Sequence, residues 1–337
     1  MSDKREFISA KDARAPYFVG VDLGGTNIKA GLLDEGAKVV GNISVPTEVD
    51  RGTQAVVDNI TEAAERVMRE AGVDRGKVVG IGIGSPGPMS HRRGLVINPG
   101  NLPCMKNVPL RDIVAERTGI PTTLENDANA AAWGEFWAGA GRDVSDFVMF
   151  TLGTGVGGGV VVNGRLLRGH FENGAELGHM IVQPGGRRCS CAQHGCVEAY
   201  SSAYNLARRA EEMVAEGRPS SLKKRVDAGE LLMAEHIVEA AQAGDALAEQ
   251  VWDEACYYLG VAMVTMQHMS NPQRVVLAGG LIAAGDFLLS RVRSHASKLT
   301  WNLLNDLPEI QFATLGNDAG FIGAAGCAWE ARRTGEW

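Results

Sequence analysis

Apolar and polar positions alternate along the chain in a way that predicts an α/β protein. From Tyr17 onward, three short apolar runs are separated by Gly-Gly and Asp-Glu-Gly turn signals, which is typical of consecutive antiparallel strands. Apolar residues at helical spacing follow over residues 54–71, and the run VVGIGIG then predicts a strand. This order of strand, helix and strand predicts a β-α-β crossover.

The same reasoning predicts elements along the rest of the chain. Strands are expected at 121–124, 145–150, 160–162, 273–278 and 310–315. Helices are expected at 111–118, 202–216, 230–243, 246–269, 287–299 and 320–332, and an alanine-rich helix is expected after residue 127. The small residues of the last helix allow close packing, which could bring it back onto the first domain.

The first of two glycine-rich turns lies within the segment Asp22–Lys29. Gly24, Gly25 and Thr26 follow a buried strand, and a backbone without Cβ atoms can approach a phosphate closely. The turn is not a Walker A loop, because that loop opens a helix and here the pattern continues as a strand. The sequence therefore predicts a phosphate-binding turn between two strands.

The second glycine-rich turn contains Gly153, Thr154 and Gly155 and also lies between two predicted strands. A Rossmann dinucleotide site requires a helix after its glycines, and the run Val160-Val161-Val162 predicts a strand instead. An NAD site is therefore disfavoured. The likeness of the two turns predicts an internal repeat of one nucleotide-binding unit.

An acidic and amide cluster, Glu125-Asn126-Asp127, lies where a predicted strand meets the alanine-rich helix. A carboxylate at this position could cap the helix by accepting from backbone N–H groups. It could equally be a general base, which needs the same rigid and exposed placement. Position alone leaves both interpretations open.

Three of the six cysteines, Cys189, Cys191 and Cys196, follow a C-x-C-x4-C spacing, and His179 lies ten residues upstream. Three thiolates and one imidazole can complete the tetrahedron that structural zinc prefers. The alternative is that these are free thiols in a turn. We favour zinc, because such clustering is hard to ascribe to core packing.

Composition narrows the class of protein. A chain of 337 residues with 45% apolar content has material for two domains. Its net charge of −7 argues against a nucleic-acid-binding surface. No apolar run reaches the roughly 18 residues that span a bilayer, and the polar N-terminus does not resemble a secretory signal. We therefore expect no nucleic-acid or membrane partner, and a cytoplasmic location.

Taken in order, these motifs resemble the ROK family of sugar kinases and sugar-responsive repressors, within the actin and hexokinase superfamily. The likeness runs from about Tyr17 to Arg332 and includes the E-x-x-H, C-x-C and G-C-x-E motifs of segment 176–198. Among its members, the chain looks most like the bacterial ATP-dependent glucokinases. The resemblance implies a two-domain actin/hexokinase-like (ribonuclease H-like) α/β fold with mixed sheets and an interdomain cleft.

The resemblance also implies domain bounds. A flexible tail is expected over 1–16, a smaller N-terminal α/β domain over 17–125 plus 318–337, and a larger C-terminal α/β domain over 126–317. The larger domain would contain the zinc segment 176–198. Relatives are commonly dimers, so a homodimer is expected.

Site residues carry over motif by motif. Asp127 would be the base that takes the proton from the 6-hydroxyl of the sugar. The residues that would hold the ring hydroxyls are Asn101, Asn126, Glu176, His179 and Glu198. Those that would bind Mg-ATP are Asp22, Gly24, Gly25, Thr26, Lys29, Gly153, Thr154, Gly155, Gly279 and Gly280. The structural zinc would be held by His179, Cys189, Cys191 and Cys196, so His179 would serve both the sugar and the metal.

The implied reaction is ATP-dependent phosphorylation of glucose to glucose 6-phosphate. One alternative is a kinase for another hexose or N-acetylhexosamine, such as mannose, fructose, N-acetylglucosamine or N-acetylmannosamine. Another is a sugar-sensing repressor remnant, which we disfavour because a winged helix needs roughly 60 residues and sixteen precede the first strand. A non-catalytic scaffold is disfavoured because Asp22, Asp127 and both turns are intact.

One position departs from the family pattern. The family usually has glycine after the second cysteine, and this chain has Ala192. If that position requires a positive φ, the alanine strains the loop by about 1 kcal/mol.

Overall fold

The computed structural model describes residue 9 and residues 12–301 and 307–337, and the chain forms two compact units. The first unit contains the chain up to Asp143, then Leu166–Ala175 and Thr314–Trp337. The second contains Val144–Arg165 and Glu176–Ala313. Most of the predicted tail 1–16 lies outside the described residues. Near its end, the backbone N–H of Arg14 donates to Asp34 Oδ2 at 3.2 Å.

The elements are as follows. The strands are β1 (Tyr17–Leu23), β2 (Asn27–Asp34), β3 (Val39–Pro46), β4 (Val78–Ser85), β5 (Met89–Ser90), β6 (Leu95–Val96), β7 (Thr122–Asn126), β8 (Phe147–Leu152), β9 (Val156–Val162), β10 (Arg165–Leu166), β11 (Arg274–Ala278) and β12 (Glu309–Phe312). The helices are α1 (Thr53–Glu70), α2 (Leu110–Thr118), α3 (Asp127–Ala138), α4 (Glu198–Ser201), α5 (Ala203–Ala215), α6 (Lys223–Asp227), α7 (Ala234–Gln242), α8 (Ala246–Ser270), α9 (Asp286–Leu299) and α10 (Ala319–Thr334).

The first unit is built on a mixed five-stranded sheet in the order β3-β2-β1-β4-β7. Strands β1, β2 and β3 form an antiparallel meander, while β4 and β7 run parallel to β1. The carboxyl ends of β1, β4 and β7 therefore lie along one edge of this sheet. In open α/β sheets, such an edge is the usual place for a ligand.

Glycines in the sheet allow α10 to pack unusually closely against one face. A Cβ on Gly20 would lie 1.8 Å from the carbonyl oxygen of Phe321, and a Cβ on Gly82 would lie 1.7 Å from that of Ala324. On its other side, α10 approaches α3, where a Cβ on Gly323 would lie 1.6 Å from the carbonyl oxygen of Ala130. The opposite face of the sheet packs on α1 and α2. These contacts place α3 and α10 in the first unit.

The second unit contains another mixed sheet of five strands, in the order β10-β9-β8-β11-β12. It has the same plan as the first sheet, since β8 and β9 are antiparallel and β11 and β12 run parallel to β8. The repeat predicted from the two glycine-rich turns is therefore seen in the arrangement of whole sheets. The prediction of an α/β fold with mixed sheets is confirmed.

Two predicted bounds need correction. The helix expected at 230–243 begins only at Ala234, because Leu232 is buried with its backbone N–H donating to Glu211 and Met233 precedes the helix as its cap. The strand expected at 310–315 ends at Phe312, because the N–H groups of Thr314 and Leu315 donate to Glu135 instead of a neighbouring strand.

The division into compact units also differs from the expected domain bounds. The first unit continues past residue 125 to Asp143, because α3 packs on α10. It also includes 166–175, which sequence reasoning placed in the larger domain. The domain bounds themselves stay a prediction. Among the described residues, no helix combines the length and apolar character that crossing a bilayer requires.

Candidate functional site

Two aspartates lie at the carboxyl edge of the first sheet. Asp22 near the end of β1 is opposite Gly84 of β4, and Gly84 is opposite Glu125 of β7. Asp127 follows two residues after Glu125, and an ideal Cβ on Gly84 would lie 3.9 Å from its Cα. The register of β1, β4 and β7 thus places Asp22 and Asp127 at the same edge of the first sheet.

The start of α3 shows which side chain of the acidic cluster caps the helix. Asn126 is the N-cap, and its Oδ1 accepts from the N–H groups of Ala128 at 3.0 Å and Asn129 at 3.1 Å. Asp127 is the first helical residue, and its Oδ1 also accepts from Ala128, at 2.8 Å. An asparagine therefore supplies the cap, and the Asp127 carboxylate is not needed for it.

Both aspartates are shifted towards the protonated form. Burial raises the pKa of Asp22 to about 6; the charge of Asp127 adds to this and Lys29 opposes it. Burial also raises the pKa of Asp127, against the hydrogen bond from Ala128. A divalent cation would relieve this repulsion, and carboxylate oxygens are the ligands that Mg²⁺ prefers.

The first glycine-rich turn lies at the same edge. The N–H of Gly24 donates to the carbonyl of Asn27 at 3.0 Å, and a Cβ on Gly24 would lie 2.7 Å from that oxygen. Thr47 fixes the turn from outside by donating from Oγ1 to Gly24 and from N to Thr26. Asn101 lies beside it, since a Cβ on Gly25 would be 3.7 Å from Asn101 Nδ2.

Lys29 completes this group of predicted residues. Its Nζ donates to the carbonyl oxygen of Asn317 at 3.1 Å, just before α10. A Cβ on Gly320 would lie 2.4 Å from Oδ2 of Asp22, so Asp22 lies over the first turn of α10. All the predicted site residues of the first unit therefore lie around the carboxyl edge of its sheet.

The second turn lies at the corresponding edge of the other sheet. The N–H of Gly153 donates to the carbonyl of Gly155 at 3.0 Å, with Thr154 between them. Gly279 has φ 88°, and a Cβ there would lie 2.5 Å from the carbonyl oxygen of Leu152. A Cβ on Gly153 or Gly280 would meet no described atom within 4 Å. Open backbone of this kind can approach a nucleotide.

The predicted zinc ligands come together in the second unit. One candidate ligand atom from each of His179, Cys189, Cys191 and Cys196 lies within 4.8 Å of the others. Cys191 Sγ is 3.7 Å from Cys196 Sγ, and Cys189 Sγ is 3.7 Å from His179 Nδ1. Tetrahedral zinc with Zn–S bonds of about 2.3 Å separates two sulfurs by about 3.7 Å. The residues present therefore fit zinc.

The loop around these cysteines, residues 188–196, is the zinc knuckle. It is closed by the N–H of Cys189 donating to Gln193 at 2.8 Å and that of Ala192 donating to Cys189 at 3.1 Å. Ala192 has φ 71°, in the left-handed region that favours glycine. The condition for strain at this alanine is therefore met.

Glu198 connects the zinc knuckle to the second turn. Its Oε1 accepts from Ser190 Oγ at 2.6 Å, and its Oε2 accepts from the N–H of Val156 at 3.1 Å. A Cβ on Gly155 would lie 2.5 Å from Glu198 Oε2, so only glycine allows this approach. Glu176 lies at the start of the turn that carries His179, whose N–H donates to the Glu176 carbonyl at 3.0 Å.

Comparison with known proteins decides the family. The sequence model described as the ROK family matches residues 18–331. The chain belongs to the ROK family. A glucokinase of Halalkalibacterium halodurans is 38% identical to this ROK chain over 308 residues, covering 91% of the chain and 93% of the relative.

Two solved structures of ROK proteins are similar to this chain over most of its length. The crystal structure of a ROK hexokinase from Thermus thermophilus matches with a TM-score of 0.80 and 36% identity, covering 94% of this chain and 99% of that one. A ROK family glucokinase from Streptomyces griseus, in complex with glucose and AMPPNP, matches with a TM-score of 0.74 and 33% identity over 93% of this chain and 99% of that one. The actin/hexokinase-like fold class is thereby confirmed.

Sequence reasoning missed the ionic group beneath the cap of α3. Glu125 is 2% exposed, and its Oε2 accepts from His91 Nε2 at 2.8 Å and from Arg168 Nε at 2.7 Å. Its Oε1 accepts from the N–H of Asn126 at 3.0 Å and from Asn129 Nδ2 at 3.2 Å. The available signal was an acid at the end of an otherwise uncharged buried strand. Its partners His91 and Arg168 are distant in sequence.

Proposed function

We propose that this ROK chain is a sugar kinase that transfers the γ-phosphoryl group of ATP to the 6-hydroxyl of glucose. The observation that carries the proposal is the pair of half-buried aspartates, Asp22 and Asp127, at one sheet edge beside a glycine-rich turn. The glucokinase relatives support glucose as the acceptor.

Asp127 is the proposed general base. Its place at the first position of α3 fixes its backbone, and the hydrogen bond from Ala128 holds Oδ1, so Oδ2 can accept the proton of the 6-hydroxyl. The raised pKa of Asp127 makes it a better proton acceptor than an exposed aspartate at the same pH. The oxygen that loses its proton then attacks the γ-phosphorus, and the bond to the β-phosphate oxygen breaks.

Mg-ATP would be held by two sets of residues. Asp22 and Lys29 would supply charges at the first turn, and the glycine-rich backbones of 24–26, 153–155 and 279–280 would approach the nucleotide. When bound, Mg²⁺ neutralises charge on the phosphates. Positioning and neutralisation are the main demands of phosphoryl transfer.

The residues that would hold the sugar hydroxyls are Asn101, Asn126, Glu176, His179 and Glu198. With Nδ1 of His179 directed at Cys189, the opposite ring nitrogen, Nε2, can carry a proton and donate it to a hydroxyl. The proposed structural zinc fixes the orientation of this imidazole.

The test is a coupled ADP-release assay with glucose, mannose, fructose, N-acetylglucosamine and N-acetylmannosamine as acceptors. We expect the highest kcat/KM with glucose and a product phosphorylated at the 6-hydroxyl. In Asp127→Ala, kcat should fall on the order of 10²–10⁴-fold with a modest change in KM, since a general base acts in the transition state.

Asp112→Ala is the matched control, because Asp112 is an exposed aspartate of α2, and it should keep kcat within about twofold. An Asp127→Ala variant with full kcat would show that Asp127 is not the general base. A higher kcat/KM for one of the other four acceptors would identify that sugar as the substrate in place of glucose. If none of the five sugars caused ADP release, the chain would not be a kinase for these sugars.

A further inference from the structure

The carboxylate of Glu125 links one residue before Asp127 with one that lies two positions after it. Through Oε1 it accepts from the N–H of Asn126, the cap of α3, and from the side chain of Asn129, one half-turn after Asp127. Asp127 thus lies between two groups that are fixed by one buried oxygen. Changing the position of that oxygen would change the direction in which Asp127 points.

The other oxygen of Glu125 is held by an arginine and a histidine side chain. Arg168 Nε donates to it at 2.7 Å, and His91 Nε2 lies 2.8 Å away. Burial by itself would raise the pKa of Glu125, but the charges of Arg168 and His91 lower it to about 2. The carboxylate is therefore ionised and has fixed partners for both oxygens.

Arg168 lies on a segment that is anchored to the first unit at several points. This segment, Leu166–Ala175, leads directly into Glu176. Asn173 exchanges two hydrogen bonds with the backbone of Met89, at 3.0 and 3.2 Å, and Glu172 accepts from Ser90 Oγ at 3.1 Å. The ion pair with Glu125 is the point where the segment contacts the junction of β7 and α3.

We propose that Glu125 is a positioning residue for Asp127, and that Arg168 is the cation that fixes Glu125. This inference rests on the proposed function, because it assigns a role towards the proposed base. Loss of the pair allows the cap and first turn of α3 to shift. Displacement of a reacting group by about 1 Å can lower a rate by as much as 10²-fold.

The surroundings of Arg168 make a chemical-rescue experiment possible. A cavity of about 310 Å³ is lined by Arg168 together with His91, Arg111 and Thr123. The Arg168 side chain is 32% exposed, so solvent reaches it. A small guanidinium ion can therefore enter the space that Arg168→Ala leaves and pair with Glu125.

The experiment measures kcat and both KM values for the full chain carrying Glu125→Gln, Arg168→Ala or both substitutions. Each single variant should lower kcat about 10–100-fold and leave KM for ATP within about twofold. The double variant should be no worse than the poorer single variant, because the two groups act as one unit. Ethylguanidine at millimolar concentration should raise the kcat of Arg168→Ala at least about fivefold.

Glu172→Gln is the matched control, because Glu172 lies on the same segment and, among the described residues, its side chain bonds to Ser90 and Arg92 and not to the junction of β7 and α3. It should keep kcat within about twofold and should not respond to ethylguanidine. A melting temperature for each variant shows that it is folded at the assay temperature. If Arg168→Ala does not fold, the change of kcat relative to KM in Glu125→Gln decides alone.

Wild-type kcat in Glu125→Gln overturns the inference. So does an equal loss in Glu172→Gln, which would mean that the segment acts only through general stability. Different results would contradict the proposed function. These are a wild-type chain that phosphorylates none of the sugars, or an Asp127→Ala variant that keeps full activity.

Discussion

Ala192 is a residue at which a single Cβ strains the backbone of the zinc knuckle. Its φ of 71° strains any residue other than glycine, asparagine or aspartate. Ala192→Gly should therefore stabilise the zinc knuckle by roughly 0.5–1 kcal/mol, which corresponds to about two- to fivefold tighter zinc binding. Competition with a chromogenic chelator measures this affinity.

The control for this substitution is Ala37→Gly. Ala37 has φ 63° in the turn between β2 and β3, far along the chain from the cysteines. The substitution Ala37→Gly should relieve a similar backbone strain and change the melting temperature without changing zinc affinity. Zinc affinity that is equal in wild type and Ala192→Gly would show that the metal, and not the backbone, sets the geometry of the loop.

Asp22 gives a prediction about pH. The unfolded chain loses this proton near pH 3.8 and the folded chain near pH 6, so between these values the folded state binds more protons and its stability falls as pH rises. Above pH 6 the full penalty remains, on the order of 2–3 kcal/mol. Asp22→Asn should therefore raise the free energy of unfolding at pH 7.5, in the absence of nucleotide, while removing kinase activity.

Urea unfolding at pH 7.5 and at pH 4 measures this effect, and the second condition is the internal control. The difference between variant and wild type should shrink at pH 4, where Asp22 is protonated in the folded protein and partly protonated in the unfolded one. A difference that does not depend on pH would mean that packing, and not charge, causes it.

At the scale of elements, the zinc knuckle is expected to act on sugar affinity and not on the chemical step. It holds Ser190 against Glu198, which also accepts from the start of β9. Loss of one hydrogen bond to a charged group costs about 1.5–3 kcal/mol, or about tenfold or more in KM. Chelation of the metal, or Cys191→Ser, should raise KM for glucose by that factor with a smaller change in kcat.

Cys256→Ser is the matched control, because Cys256 is a buried thiol of α8 outside the cluster. Zinc content by atomic absorption and KM for glucose should both equal those of the wild type. Unchanged glucose KM after complete removal of zinc from the wild type would show that Glu198 is held by the protein alone.

Elements with strong periodicity were predictable to within one or two residues. The helix expected at 246–269 is α8, Ala246–Ser270, and the one expected at 287–299 is α9, Asp286–Leu299. The bounds that failed depend on distant partners. The last strand of the second sheet stops at Phe312 because Glu135, far away in the sequence, accepts from Thr314 and Leu315.

At the scale of the whole molecule, the order of the motifs was enough to suggest the family by resemblance, and the mixed-sheet fold followed from the family. It was not enough to find the contacts of Glu125 with His91 and Arg168. Spacing along a chain reports what is periodic or adjacent. It does not report an ion pair between residues that are brought together only when three segments fold.

The close fit of α10 on the first sheet has a consequence for synthesis of the chain. Strands β1 to β4 are among the first elements to leave the ribosome, but the helix that covers their glycine-lined face is made after the whole second unit. Until α10 has been made, that face of the sheet lacks the helix that packs closely on it. Its strands are then held only by contacts between residues that are closer in the sequence. The unit that begins first is therefore completed last, and the second unit can finish folding before it.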